Sequence, residues 1–209
     1  MRASNPGRRR WLAAALAGLL ATGLAGCDRL GLSGSSKPSF HGVDITGADY
    51  GRKLELTDAE GKPRSLADFK GKVSVVFFGY TQCPDVCPTT MAELAAVKRA
   101  MGKDGDRVQG IFVTVDPERD SVDMLRDYVS WIPGVVGVSG PRPEIDKAIR
   151  AFRIYANKVP GSDGAYWMDH TAYVMLFDAN GRFDQIISYQ EPPETALPKL
   201  RKLLGLSAT

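Results

Sequence analysis

The sequence predicts an α/β domain in which a mixed β-sheet is flanked by helices on both faces. Three observations carry the prediction. Short runs rich in β-branched and aromatic residues alternate along the chain with apolar stripes at helical spacing. An Asn-Gly turn late in the sequence joins two strands as a hairpin, so the sheet has to contain antiparallel pairs. The chain has 209 residues and 44% hydrophobic content, enough for one sizeable core and in favour of one domain over two.

The strands come from residues 73–80 (VSVVFFGY), 110–115 (GIFVTV) and 172–177 (AYVMLF), each bounded by turn formers. Between them lie four helical stripes. Residues 89–101 carry Met91, Leu94, Val97 and Met101, and residues 122–131 carry Val122, Leu125 and Val129, with Ile132 just beyond. Residues 144–155 place Ile145, Ala148, Ile149 and Phe152 on one face, and Leu197, Leu200, Leu203 and Leu204 form the last stripe. All four are assigned to the core. The segment 54–62 (LELTDAEGK) predicts an N-terminal hairpin, and Asp178, Ala179, Asn180 and Gly181 predict a tight turn into a strand over 183–188. Residues 158–168, with Pro160, Gly161 and Gly164, form an inserted loop or hairpin before this last hairpin, directly ahead of His170. No internal repeat and no second domain is visible.

Charge excludes one class of function. Four of the 27 basic residues, Arg2, Arg8, Arg9 and Arg10, fall in the first ten positions, which leaves 23 basic against 24 acidic residues in the rest of the chain. No basic stripe remains for a nucleic acid. Residues 1–26 instead have the three parts of an export signal: the basic run at 8–10, an apolar stretch over 11–20, and a small-residue end at Ala25 and Gly26. The stretch is short for a membrane span. Leu24, Ala25, Gly26 and Cys27 are similar to a bacterial lipobox, so Cys27 is the expected lipidation site and the membrane is reached through its acyl chains. Arg8–Leu12 also resembles a twin-arginine signal, and the two export routes stay open. Asp28 fits retention in an inner membrane. Lipidated Cys27 and a Gly/Ser-rich tether (GLSGSSKP, 31–38) occupy 27–45, and the folded domain is expected over 46–206.

Two cysteines remain, as Cys83-Pro84-Asp85-Val86-Cys87-Pro88, at a strand-to-helix junction. Pro88 suits the first helical turn, which puts Cys87 near the helix N-cap, where the helix dipole favours thiolate. Three residues separate the pair, against two in a thioredoxin-type redox motif. A stabilising disulfide, a redox-active Cys83–Cys87 pair and a metal site all stay open at this point. The chain has two histidines. His41 lies near the tether, while His170 opens the predicted strand that runs to Phe177. Two soft thiolates and an imidazole suit Cu(I), Cu(II) or Zn(II), and a three-ligand set leaves an open side.

The block 78–88 (FGYTQCPDVCP), the block 116–120 (DPERD) and the pair Asp169-His170, in this order and spacing, resemble the Sco (SenC) family of copper-binding proteins over roughly residues 40–205. The resemblance implies a thioredoxin-like fold and copper, as Cu(I) or Cu(II), held by Cys83, Cys87 and His170. It also implies a role in maturing the dinuclear copper centre of cytochrome c oxidase. The expected partners are then the copper-centre subunit of the oxidase and a periplasmic copper donor chaperone, and the expected location is the periplasmic face of a bacterial inner membrane. Asp116 and Asp120 end the second strand and have two readings: hydrogen-bond support for the site, or the start of the next helix, with Asp120 or Ser121 as cap. Asp169 has the same ambiguity. Phe77, Phe78 and Tyr80 are core and site wall. A thiol-disulfide oxidoreductase acting on the cysteines of the oxidase subunit or of another copper protein is the competing function, and His170 discriminates between the two, since a pure dithiol reductant does not need it. A peroxiredoxin-like reading rests on Thr81 beside Cys83 alone and is set aside.

Overall fold

A computed structural model of the chain describes residues 50–51 and 54–207, so the leader, Cys27, the tether and His41 lie outside the described residues. Strand β1 (Leu56–Asp58) and β2 (Pro63–Arg64) form the expected N-terminal hairpin. The buried Asp58 closes it, accepting from the amides of Glu60 and Lys62 at 3.0 and 2.8 Å and from Arg64 Nε at 2.6 Å. Strand β3 (Val73–Gly79) leads into α1 (Val86–Ala100), and β4 (Val108–Thr114) into α2 (Val122–Val129). β5 (Val135–Ser139) and α3 (Arg142–Ala151) follow. Two more hairpins, β6 (Ala156–Pro160) with β7 (Tyr166–His170) and β8 (Val174–Phe177) with β9 (Phe183–Ile187), precede α4 (Pro193–Leu203).

The main sheet has seven strands in the order β2-β1-β5-β4-β3-β8-β9. Its centre, β5-β4-β3, is parallel, and β1, β2, β8 and β9 are added antiparallel, so the sheet is mixed as predicted. Every residue of β3 and β4 is buried, which explains why both are near-continuous apolar runs. Side chains alternate across the sheet and divide the core in two. Phe77 packs near Phe112 and Phe112 near Tyr128 of α2 on one face. On the other, Phe78, Phe152, Phe177 and Phe183 form a chain of ring contacts.

The structure corrects the sequence reading in several places. β5 was not expected. Its central Gly137 breaks the apolar run because Leu125 of α2 lies directly on it, with the Leu125 Cβ 3.2 Å from where a Gly137 Cβ would stand. α1 begins at Val86, ahead of residue 89, since a proline in the first turn lacks only an amide that has no intrahelical partner. Val122 is 44% exposed and lies outside the core, while Leu125, Val129 and Ile132 are buried. In the β8–β9 turn only Gly181 takes a positive φ, 77°, and Asn180 does not. The Asp178 carboxylate accepts from the amides of Asn180 and Arg182, both at 2.9 Å, giving a longer loop than a two-residue Asn-Gly turn. His170 closes β7 and does not open a strand of the main sheet, because residues 156–170 fold back on themselves as a separate two-stranded sheet. Among the described residues no helix is long and apolar enough to cross a membrane.

Candidate metal centre

Cys83, Cys87 and His170 converge. Their sulfurs and an imidazole nitrogen all lie within 4.8 Å of one another, and among the described residues this is the one group of metal-ligating side chains so close. Each donor arrives on a different part of the fold. Cys83 sits in the loop after β3, Cys87 is the second residue of α1, and His170 ends β7 opposite Ala156. The Cys87 amide, one of the free donors of the first helical turn, donates to Cys83 Sγ at 3.4 Å. Close approach also depends on Gly79. A Cβ there would lie 3.0 Å from Cys87 Sγ and 2.9 Å from the Phe112 ring, so β3 can end against the sulfur only without a side chain.

The imidazole is oriented from both sides. His170 Nδ1 lies 2.9 Å from the Thr171 carbonyl oxygen, which can only accept, so Nδ1 carries the proton. Nε2 is then the ring atom turned to the cysteines, 3.4 Å from Cys87 Sγ. Metal-binding histidines are commonly fixed this way, with the distal N–H held by a carbonyl. Phe77 and Tyr80 meet the ring edge-on at centroid distances of 6.1 and 5.8 Å. Both cysteines are free, Cys87 buried and Cys83 partly exposed. Pro84, Asp85, Val86 and Met168 line a shallow depression over Cys83 and His170, which gives a bound ion an accessible side.

The two thiols share one proton. A hydrogen bond from the Cys87 thiol holds Cys83 well below the ordinary thiol range against the effect of burial, helped by His170 and by the amides of Cys87 and Asp85. Cys87 is pushed up by the Cys83 sulfur it serves and by its own burial. Reduced protein at neutral pH is therefore expected to favour thiolate at Cys83 and thiol at Cys87. Between the lowered Cys83 value and the ordinary thiol value near 9.0, the folded form binds one proton fewer than the unfolded chain, so stability rises with pH. Above that value the sign reverses, because folded Cys87 keeps a proton that the unfolded chain has lost. Thiolate absorbance of the reduced, metal-free protein should show one thiolate at neutral pH, and alkylation there should label Cys83 before Cys87. Absence of thiolate at pH 7 would contradict this arrangement.

Asp116 and Asp120 are both buried, with opposite assignments. Asp120 accepts from the Thr81 hydroxyl at 2.7 Å, the Thr81 amide at 3.2 Å and the Thr114 hydroxyl at 2.5 Å, which ties the cysteine loop to β4. Burial pushes its carboxyl up, and these donors pull it back. Helix capping falls to Ser121, whose hydroxyl accepts from the Met124 amide at 3.2 Å. Asp116 turns the other way, to Arg119 and to the Tyr166 hydroxyl at 2.9 Å. Asp169 is exposed, on the face of β7 opposite His170, and makes no side-chain hydrogen bond among the described residues. Sequence reasoning did not single out Gly79, Arg119 or Tyr166, and it met Thr81 only as a peroxiredoxin cue. Gly79, Thr81 and Arg119 lie within the two quoted blocks, but their roles depend on contacts between segments far apart in sequence.

The donor set, two thiol sulfurs and one imidazole nitrogen within 4.8 Å of one another, fits Cu(I), Cu(II) or Zn(II). Comparisons with known proteins narrow the class. The family model described as SCO1/SenC matches residues 43–205. A mitochondrial SCO2 homologue of Danio rerio is 39% identical over 134 residues, 62% of this chain, which spans about half the relative's length (48%). Two similar structures are Bradyrhizobium japonicum ScoI with copper bound and yeast Sco1 with copper bound. The first is 46% identical, with a TM-score of 0.68, covering 74% of this chain and 99% of that one. The second is 28% identical, with a TM-score of 0.68, covering 75% and 89%. The fold is thioredoxin-like, and by the extent of the family match the chain belongs to the SCO1/SenC family.

Proposed function

We propose that this protein binds copper through Cys83, Cys87 and His170 and delivers it to the dinuclear copper centre of cytochrome c oxidase, helping that centre to mature. The observation that carries the reading is the imidazole: the Thr171 carbonyl holds Nδ1, and Nε2 faces the Cys87 sulfur at 3.4 Å. A dithiol reductant has no need of it. Copper bound in the sister structures supports the choice of metal. A three-donor site with an open side suits a carrier, because a partner's ligand can enter before the first ligands leave. On this reading residues 1–26 direct export and Cys27 carries the lipid. The tether holds the domain over 46–206 off the periplasmic face of the membrane, within reach of the oxidase subunit and of a copper donor.

A second reading has its own support. Cys83 is partly exposed and favours thiolate, the requirement for attack on a partner's disulfide. One strain tests both, a host lacking its own copy of the gene and supplied with variants. His170→Ala should keep a reversible Cys83–Cys87 disulfide and weaken copper binding, Cu(II) more than Cu(I), since the thiophilic Cu(I) relies less on nitrogen. Oxidase activity should then fail at limiting copper. Full oxidase assembly by this variant at low copper would replace the delivery reading with the reductase. In the same host Cys27→Ser should leave the leader uncut or shed the protein from the membrane; unchanged membrane retention of a processed chain would remove the lipid anchor.

A further inference from the structure

The hairpin that carries His170 is not part of the main sheet. β6 and β7 pair as strands only with each other, and an isolated two-stranded hairpin is marginally stable in water. Its placement over the cysteines therefore has to come from side chains. Tyr166, Met168 and His170 alternate onto one face of β7, and Met168 of these is buried. Tyr166, at the far end of the strand, is gripped. Arg119 stacks on its ring with the guanidinium carbon 3.7 Å from the centroid and donates from Nη1 to its carbonyl oxygen at 2.9 Å. Lys158 Nζ lies 4.0 Å from the centroid of the same ring. The Tyr166 hydroxyl donates to Asp116 at 2.9 Å, and Asp116 in turn holds Arg119 Nε. Arg119 also lies 5.6 Å from the ring of Tyr80, which meets His170 edge-on.

We infer that Arg119 is a positioning residue for His170: through Tyr166 it latches the β6–β7 hairpin and so sets the distance from the imidazole to the two sulfurs. The turn after β4 thereby holds both halves of the site. Asp120 pins the cysteine loop through Thr81, and Asp116 with Arg119 pins the histidine strand through Tyr166. The two halves are separable, because among the described residues Arg119 makes no hydrogen bond to the cysteine loop and meets it only at the ring of Tyr80. A change at Arg119 should move the nitrogen donor and leave the dithiol where it is. The inference rests on His170 acting as a copper ligand.

The test uses the purified full-length chain with Arg119→Ala, Arg119→Lys and Tyr166→Phe, beside wild type and His170→Ala. Three quantities are read: the Cu(II) charge-transfer spectrum and affinity, the Cu(I) affinity, and the equilibrium of the Cys83–Cys87 disulfide with glutathione. Arg119→Ala should shift the Cu(II) spectrum toward that of His170→Ala and weaken Cu(II) about 10–100-fold, the range for residues that orient a ligand. Cu(I) affinity and the disulfide equilibrium should stay within about threefold, a loss far smaller than that expected for the oriented nitrogen ligand. Arg119→Lys keeps the charge without the planar stack and fork, so it should rescue little. Tyr166→Phe keeps the ring and removes only the hydroxyl, so it should give the same spectral shift in smaller measure, and it decides the question if Arg119→Ala does not fold. A folded Arg119 or Tyr166 variant with the wild-type Cu(II) spectrum and affinity overturns the inference. If His170→Ala itself has the wild-type spectrum, the ligand assignment has failed, and the inference falls with it for that distinct reason.

Discussion

Replacement of Cys87 by alanine is expected to abolish tight copper binding while leaving the fold in place, and Cys83→Ala should do the same. Each sulfur is one of two soft donors. With either gone, the site offers one thiolate and one imidazole, a poorer set for a soft ion. The expected loss is roughly a thousandfold or more, equivalent to about 4 kcal/mol of binding free energy. Fold stability should change far less. Cys83 is partly exposed, and Cys87, though buried, gives up one sulfur atom beside Gly79, so the cost is about 1–2 kcal/mol. Isothermal copper titration under reducing conditions, beside circular dichroism and urea unfolding of the metal-free variants, separates the two effects. Collapse of the fold on either substitution would mean that the pair holds the domain together, and the metal assignment would lose its basis.

The converse separation is expected at Phe152. This ring is fully buried at the end of α3, packed against Phe78 and Phe177 at centroid distances of 5.1 and 5.8 Å, on the face of the sheet away from the cysteines. It also closes over Gly51, where a Cβ would stand 2.6 Å from the ring. Phe152→Ala leaves a cavity that rigid strands on one side and a helix on the other cannot fill, at a cost of about 3–5 kcal/mol. That is a large share of the ~5–15 kcal/mol available to a domain, and the melting temperature should fall by roughly 10 °C. Copper affinity of the folded fraction should be unchanged, because Phe77, whose ring meets His170, belongs to the opposite face. Thermal unfolding and copper titration of Phe152→Ala at low temperature measure both. A large loss of copper affinity in folded Phe152→Ala would show that the two halves of the core are coupled.

The legible parts of this protein are those in which local pattern and burial agree. β3 and β4 are buried on both faces, so their residues had to be continuous apolar runs, and α1 and α3 show their inward faces at helical spacing. The cysteine pair was visible because the two thiols lie four residues apart at a strand-to-helix junction. His170 was visible because few histidines exist to choose from. Other features were decided by contacts between distant segments. β5 was hidden since Leu125 demands a glycine in its middle. The tautomer of His170 depends on a carbonyl brought to its ring by the path of the backbone after β7. Whether Asp116 and Asp120 cap a helix or hold the site depends on Thr81 and Tyr166, which lie 39 and 50 residues away along the chain. The residue types of a soft metal site are thus written in sequence, where chemistry restricts the choice of side chain. The geometry that lets three of them meet is not, because it arises only when separate segments have packed against one another and each buried polar group has found its partner.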